Sequence, residues 1–73
     1  MLAMVTRDIV EKYFDDLDGE DPVDMHDLVM SQVESVLVDT VLEYTGSNQS
    51  QAARWLGINR NTLRKKMALY HLE

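Results

Sequence analysis

The central segment Met25–Thr45 is apolar on more sides than one neighbour can cover, and that limits what a 73-residue chain can become. At about 100° per residue, Val29, Met30, Val33, Val36, Leu37, Val41 and Tyr44 fill a broad helical arc, while Leu28, Val38 and Leu42 lie outside it on the other side. Such a helix has to be buried from several directions, and a chain of this length supplies few intramolecular neighbours. With no cysteine and only two histidines, the usual staples of a very small domain are missing, and association takes their place. We therefore expect a homodimer with Val29, Met30, Val33, Val36, Leu37 and Val41 at its interface.

Hydrophobic residues at 45%, three glycines and one proline describe a single folded, globular domain. Apolar runs such as Val36-Leu37-Val38 are far shorter than a membrane span, and Met1-Leu2-Ala3-Met4-Val5 lacks the basic flank and long apolar stretch of a signal peptide. The expectation is a soluble, cytoplasmic protein without membrane contact. A catalytic set of nucleophile, base and orienting group is not evident, and an enzyme core of ordinary size does not fit. His26 and His71 are too far apart in sequence to suggest a metal pair. The acidic run Asp15, Asp16, Asp18, Glu20, Asp21 and Asp24 lacks the ligand order of a calcium loop, so it reads as solvated charge around a turn. No metal or cofactor is expected.

Three more helices flank the central one. Ile9, Val10, Tyr13, Phe14 and Leu17 form one stripe of a helix over Thr6–Leu17, with Thr6 as its cap. Asp18-Gly19-Glu20-Asp21-Pro22 ends it in a turn, and Asp24 is placed to cap the central helix. Gly46-Ser47 closes that helix. Asn48 caps a short third helix, Gln49–Leu56, with Gln51 in the capping-box position and Ala52, Ala53 and Leu56 facing inward. Gly57-Ile58 turns the chain, and Asn59 caps a fourth helix, Arg60–Leu69, whose Leu63, Met67 and Tyr70 point inward while Asn61, Arg64, Lys65 and Ala68 point out. Trp55, beside Leu56, is expected to pack partly into the core, as are Met25, Met30 and Met67.

The net charge of −6 conceals a division. Residues 1–43 carry twelve carboxylates against Arg7 and Lys12, giving −10, whereas residues 44–73 carry five cations against Glu73, giving +4. Residues 1–45 thus read as an acidic dimerisation segment and 46–73 as a basic helix-turn-helix unit suited to a polyanion. Duplex DNA fits this unit. The second helix of such a pair enters the major groove by its N-terminal part, where Arg60 can bond guanine and Asn59 adenine. Thr62, Arg64 and Lys65 then face the groove or its phosphate walls, and the N–H groups around Asn48 can hold a phosphate. A second reading makes the acidic half the working surface of a co-regulator that docks on another protein.

The run from Asn48 to Lys66, Asn48-Gln49-Ser50-Gln51-Ala52-Ala53-Arg54-Trp55-Leu56-Gly57-Ile58-Asn59-Arg60-Asn61-Thr62-Leu63-Arg64-Lys65-Lys66, resembles the C-terminal helix-turn-helix of the Fis family, the bacterial factors for inversion stimulation. The DNA-binding ends of nitrogen-regulator type activators share that motif. Upstream, Lys12-Tyr13-Phe14, Leu17-Asp18-Gly19, Asp27-Leu28-Val29 and Val33-Glu34 also fall at the family's spacings, which favours a free-standing Fis protein over a detached activator domain. The resemblance implies an all-α, four-helix homodimer whose second helices intertwine, acting as a nucleoid-associated, DNA-bending transcription regulator. It implies that Asn59 and Arg60 read bases, that Thr62 contacts backbone or base edge, and that Asn48, Gln49, Ser50, Arg64, Lys65 and Lys66 lie at or near phosphates. Relative to the best-known members, Ala68 and Leu69 replace lysines, Gly46 and Gln51 replace basic residues and Val36 replaces a proline, so weaker or less salt-dependent DNA binding and a straighter second helix are expected. Arg54 has no usual basic counterpart and is expected to recover part of that binding. The chain starts close to its first helix, with no room for the N-terminal hairpin arms that contact recombinases, and no recombinase contact is expected.

Overall fold

The computed structural model describes residues 1–73, folded into four α-helices without a strand. They are α1 (Leu2–Leu17), α2 (Met25–Tyr44), α3 (Gln49–Leu56) and α4 (Arg60–Leu69). None is long and apolar enough to cross a membrane. The chain divides into two compact units, Met1–Met30 and Ser31–Glu73. The second joins the C-terminal part of α2 to α3 and α4, because Val38 and Leu42 share their core.

In the first unit α1 begins four residues earlier than the sequence suggests. Thr6 is not its cap: the hydroxyl lies inside the helix and donates to the Leu2 carbonyl at 2.9 Å. That bond back along the helix satisfies the hydroxyl and removes it from capping. Arg7 and Glu11 pair one turn apart at 2.8 Å, and the Tyr13 and Phe14 rings meet edge to face at 6.5 Å. The helix ends at Asp18, in the left-handed region at φ 52°, and buries no residue of its own. Asp24 also departs from the extended backbone of an N-cap, at φ 52°, and joins α2 by its carbonyl, which accepts the Leu28 N–H at 3.0 Å.

The core of the second unit is small and explicit. Val38 and Leu42 of α2, Ala52 and Ala53 of α3, and Leu63 and Met67 of α4 are buried together, with Val41, Leu56, Ile58 and Leu72 packed around them. Ala52 and Leu63 have no exposure at all. Two alanines in succession let α3 approach α4 at a distance that larger side chains would prevent. Trp55 lies outside this core, 55% exposed, correcting the expectation that it packs. Its position on α3 is turned away from the buried pair Ala52 and Ala53, and Leu56 takes the inner place instead. Met30 is likewise half exposed.

Each helix of this unit stops by the same hydrogen-bond pattern. The Ser47, Ile58 and Leu72 N–H groups donate to the Leu42, Ala53 and Met67 carbonyls at 2.8, 3.0 and 2.8 Å, closing the last turn. Ile58 and Leu72, the residues just past two of these ends, also pack on the core, so the stops and the packing reinforce each other. Gly57 at φ 72° makes the turn between α3 and α4, and a Cβ there would touch nothing, so its contribution is conformational rather than steric. Truncating Leu63 to Ala is expected to cost about 2–5 kcal/mol of unfolding free energy, against about 1 kcal/mol for Gly57→Ala. Urea unfolding followed by circular dichroism measures the difference.

Candidate nucleic-acid interface

Both helices of the C-terminal pair begin on an asparagine. Asn48 is extended at φ −77°, ψ 100°, and its Oδ1 accepts the Gln51 N–H at 3.0 Å. The expected capping box is only half made, because the Asn48 N–H donates to the Thr45 carbonyl at 3.2 Å. Asn59, at φ −69°, ψ 145°, accepts the Asn61 N–H at 2.7 Å. Both starts are therefore rigid, with the positive ends of two helix dipoles defined by local bonds.

These starts lie side by side. Arg60 Nη1 is 3.5 Å from Ser50 Oγ, and Arg64 Nε is 3.4 Å from Gln49 Oε1. Arg60 and Arg64 stand one turn apart on α4, and each reaches one of the first two residues of α3, so four of the expected site residues form one cluster. Asn48, Ser50, Asn59, Arg60, Thr62, Arg64 and Lys65 are exposed, and Gln49 is half-buried. Arg60, Arg64 and Lys65 enter no ion pair: the pairs in the chain are Arg7–Glu11, His26–Asp27 and Lys66–Glu34. Arg64 and Gln49 also border a groove lined by the carboxylates Asp39, Glu43 and Glu73.

Lys66 is placed differently from its neighbours. Its Nζ donates to Glu34 Oε1 at 2.9 Å, and the Tyr70 hydroxyl donates to the same oxygen at 2.6 Å. The bond from Lys66 and then that from Tyr70 hold the Glu34 carboxyl below its ordinary pKa, outweighing the opposing effect of partial burial, and the charge on Lys66 adds to them. The bond to Glu34 in turn pushes the Tyr70 phenol up. Sequence reasoning misses this group. A signal is present: Glu34 sits one turn before Val38, on the core side of α2, where a carboxylate needs a donor.

The expected interface residues of α2 divide. Val29 is half-buried, and Val41 packs on its own core. Met30, Val33, Val36 and Leu37 are exposed, with Val36 at 66%. At about 100° per residue Val33 and Val36 lie on the side of α2 away from Val38 and Leu42, so the helix carries exposed apolar residues beyond its core-facing side.

Comparison with known proteins bears on these features together. The model of the bacterial regulatory protein family Fis matches residues 29–70. A Fis-like DNA-binding protein of Ralstonia nicotianae is 50% identical over 66 residues, which is 90% of this chain and 86% of that protein. A Fis-like DNA-binding protein of Neisseria meningitidis is 45% identical over 71 residues, 97% of this chain and 90% of the other. The DNA-binding protein Fis of Actinobacillus succinogenes is 48% identical over 64 residues, 88% of this chain but 65% of its own length.

The Glu34 group also sets a pH dependence. A carboxyl whose pKa is lower folded than unfolded adds stability above its unfolded value and loses it as pH falls through the folded one. The melting temperature of the wild-type chain should exceed that of Glu34→Gln near neutral pH, and the gap should close on acidification below the ordinary glutamate range. Thermal melts of both proteins across that range give the comparison.

Proposed function

The chain belongs to the Fis family of bacterial regulatory proteins, and from that membership we propose that it is a homodimeric regulator that binds and bends duplex DNA, acting by binding rather than by catalysis. The observation that carries this reading is the cluster of Arg60 and Arg64 with Ser50 and Gln49 at two adjoining, asparagine-capped helix starts. α4 is the recognition helix. Arg60 reads guanine edges in the major groove, and Thr62, Arg64 and Lys65 meet the groove or its phosphates. The start of α3, at Asn48, Gln49 and Ser50, approaches the backbone. Asn59 commits its carbonyl oxygen to the cap, so it offers chiefly its amide hydrogens to base acceptors rather than the paired contact an uncommitted asparagine makes.

Residues 1–45 form the dimerisation segment in this proposal, and the exposed face of α2 is its centre. Met30, Val33, Val36 and Leu37 of one copy cover those of the other, which places one positive tip at each end of the dimer. Two tips on adjacent major grooves require the duplex to curve when they stand closer than a helical turn, so sequence is read largely as deformability. The acidic residues of the first half keep the body of the molecule off the phosphates. Its place of action is the bacterial nucleoid.

Arg60→Ala tests the assigned role. Retardation of duplex DNA in a gel assay should be lost with the dimer intact by sedimentation, since the Arg60 side chain is exposed and donates to the Ser50 hydroxyl rather than to a core group. Unaltered retardation would refute the assignment.

A further inference from the structure

We propose that Glu34 is a positioning residue for duplex recognition: one of its carboxylate oxygens holds both Lys66 and Tyr70, making Lys66 a strut between α2 and α4 rather than a phosphate contact. The proposal rests on the DNA-binding reading above. Glu34 Oε1 accepts from Lys66 Nζ at 2.9 Å and from Tyr70 Oη at 2.6 Å, and the two donors are one turn apart on the same side of α4. One group on α2 therefore grips two successive turns at the C-terminal end of the recognition helix. The Lys66 side chain is 28% exposed and that of Glu34 34%. To reach a phosphate Lys66 has to leave a charge-assisted bond to a half-buried carboxylate, a cost that an exposed lysine does not meet.

Direction is what this tie adds. The apolar anchors of α4, Leu63 and Met67, fix its depth on the core through contacts that are themselves non-directional. Hydrogen bonds have preferred angles, and two to one oxygen define an orientation. Arg60 and Tyr70 are ten residues apart, about 15 Å along a helix, so a slip of about 1 Å at the tied end tilts the helix by about 4°. Arg60 at the other end carries base recognition, and such a change in approach degrades its paired bonds. The cations left to the duplex on α4 are Arg60, Arg64 and Lys65.

The test uses the full chain and a fluorescently labelled duplex, with anisotropy titrations over a series of salt concentrations. Removing a carboxylate reduces repulsion from DNA, so electrostatics alone predicts that Glu34→Gln binds more tightly. A positioning role predicts the opposite sign, a weakening of about fivefold, equivalent to one ordinary hydrogen bond. Tyr70→Phe, which keeps the ring and removes only the hydroxyl, should weaken binding similarly. Lys65→Gln should lower the slope of log affinity on log salt by about 0.9 for each phosphate it ceases to neutralise, whereas Lys66→Gln should weaken binding with the slope unchanged. Thermal melts establish that each variant is folded at the assay temperature, and Tyr70→Phe carries the test if Glu34→Gln is not. Equal or tighter binding by the folded Glu34 variant, or a fall in slope at Lys66 matching that at Lys65, overturns the strut while leaving DNA binding in place. A wild-type chain without affinity for the duplex overturns both.

Discussion

The packing of Val38 and Leu42 against Ala52, Ala53, Leu63 and Met67 is the contact on which the rest depends. It uses one side of α2 to hold the helix-turn-helix pair and fixes the pair's two starts beside each other. The same choice leaves Met30, Val33, Val36 and Leu37 of α2 exposed. In the proposed dimer a symmetric pairing of identical rows covers these exposed residues. Local order within the chain and the proposed association between chains are thus two consequences of one partition of a single helix.

Charge follows a similar partition. The carboxylates are concentrated in residues 1–43 and the cations in 44–73, but the positive set is smaller at the surface than in the sequence. Lys66 is committed to Glu34, and Arg64 borders a groove that also holds Asp39, Glu43 and Glu73. What remains exposed is Arg60, Arg64 and Lys65 on α4 and Arg54 on α3. In the proposed DNA complex, fewer available cations mean a binding free energy less dominated by counterion release, with a larger share left to the fit between the helix start and the groove.

Much of this is legible in the residues because the signals are local. Asn48 and Asn59 announce helix starts, Gly57 a left-handed turn, and α3 and α4 begin and end at the expected residues. Elements whose limits depend on competing local bonds are less legible. Thr6 could cap or bond backward, and its hydroxyl takes the Leu2 carbonyl. Asp24 could cap by its side chain, yet its backbone turns left-handed. Trp55 shows that size and apolarity do not decide burial when helical phase points elsewhere. The contact between Glu34 and Lys66 spans 32 positions, and nothing in the spacing of either residue names the other as its partner. Pairwise links of that kind are set by how α4 lies on α2, which is defined only once the core is assembled.

The proposed pairing of DNA-binding tips requires a second copy on the exposed apolar residues of α2, so the most direct measurement is the mass of the wild-type chain in solution. Sedimentation equilibrium at micromolar concentration should report a species of twice 8.4 kDa. A folded, helical chain that stays at 8.4 kDa across that range would contradict the account.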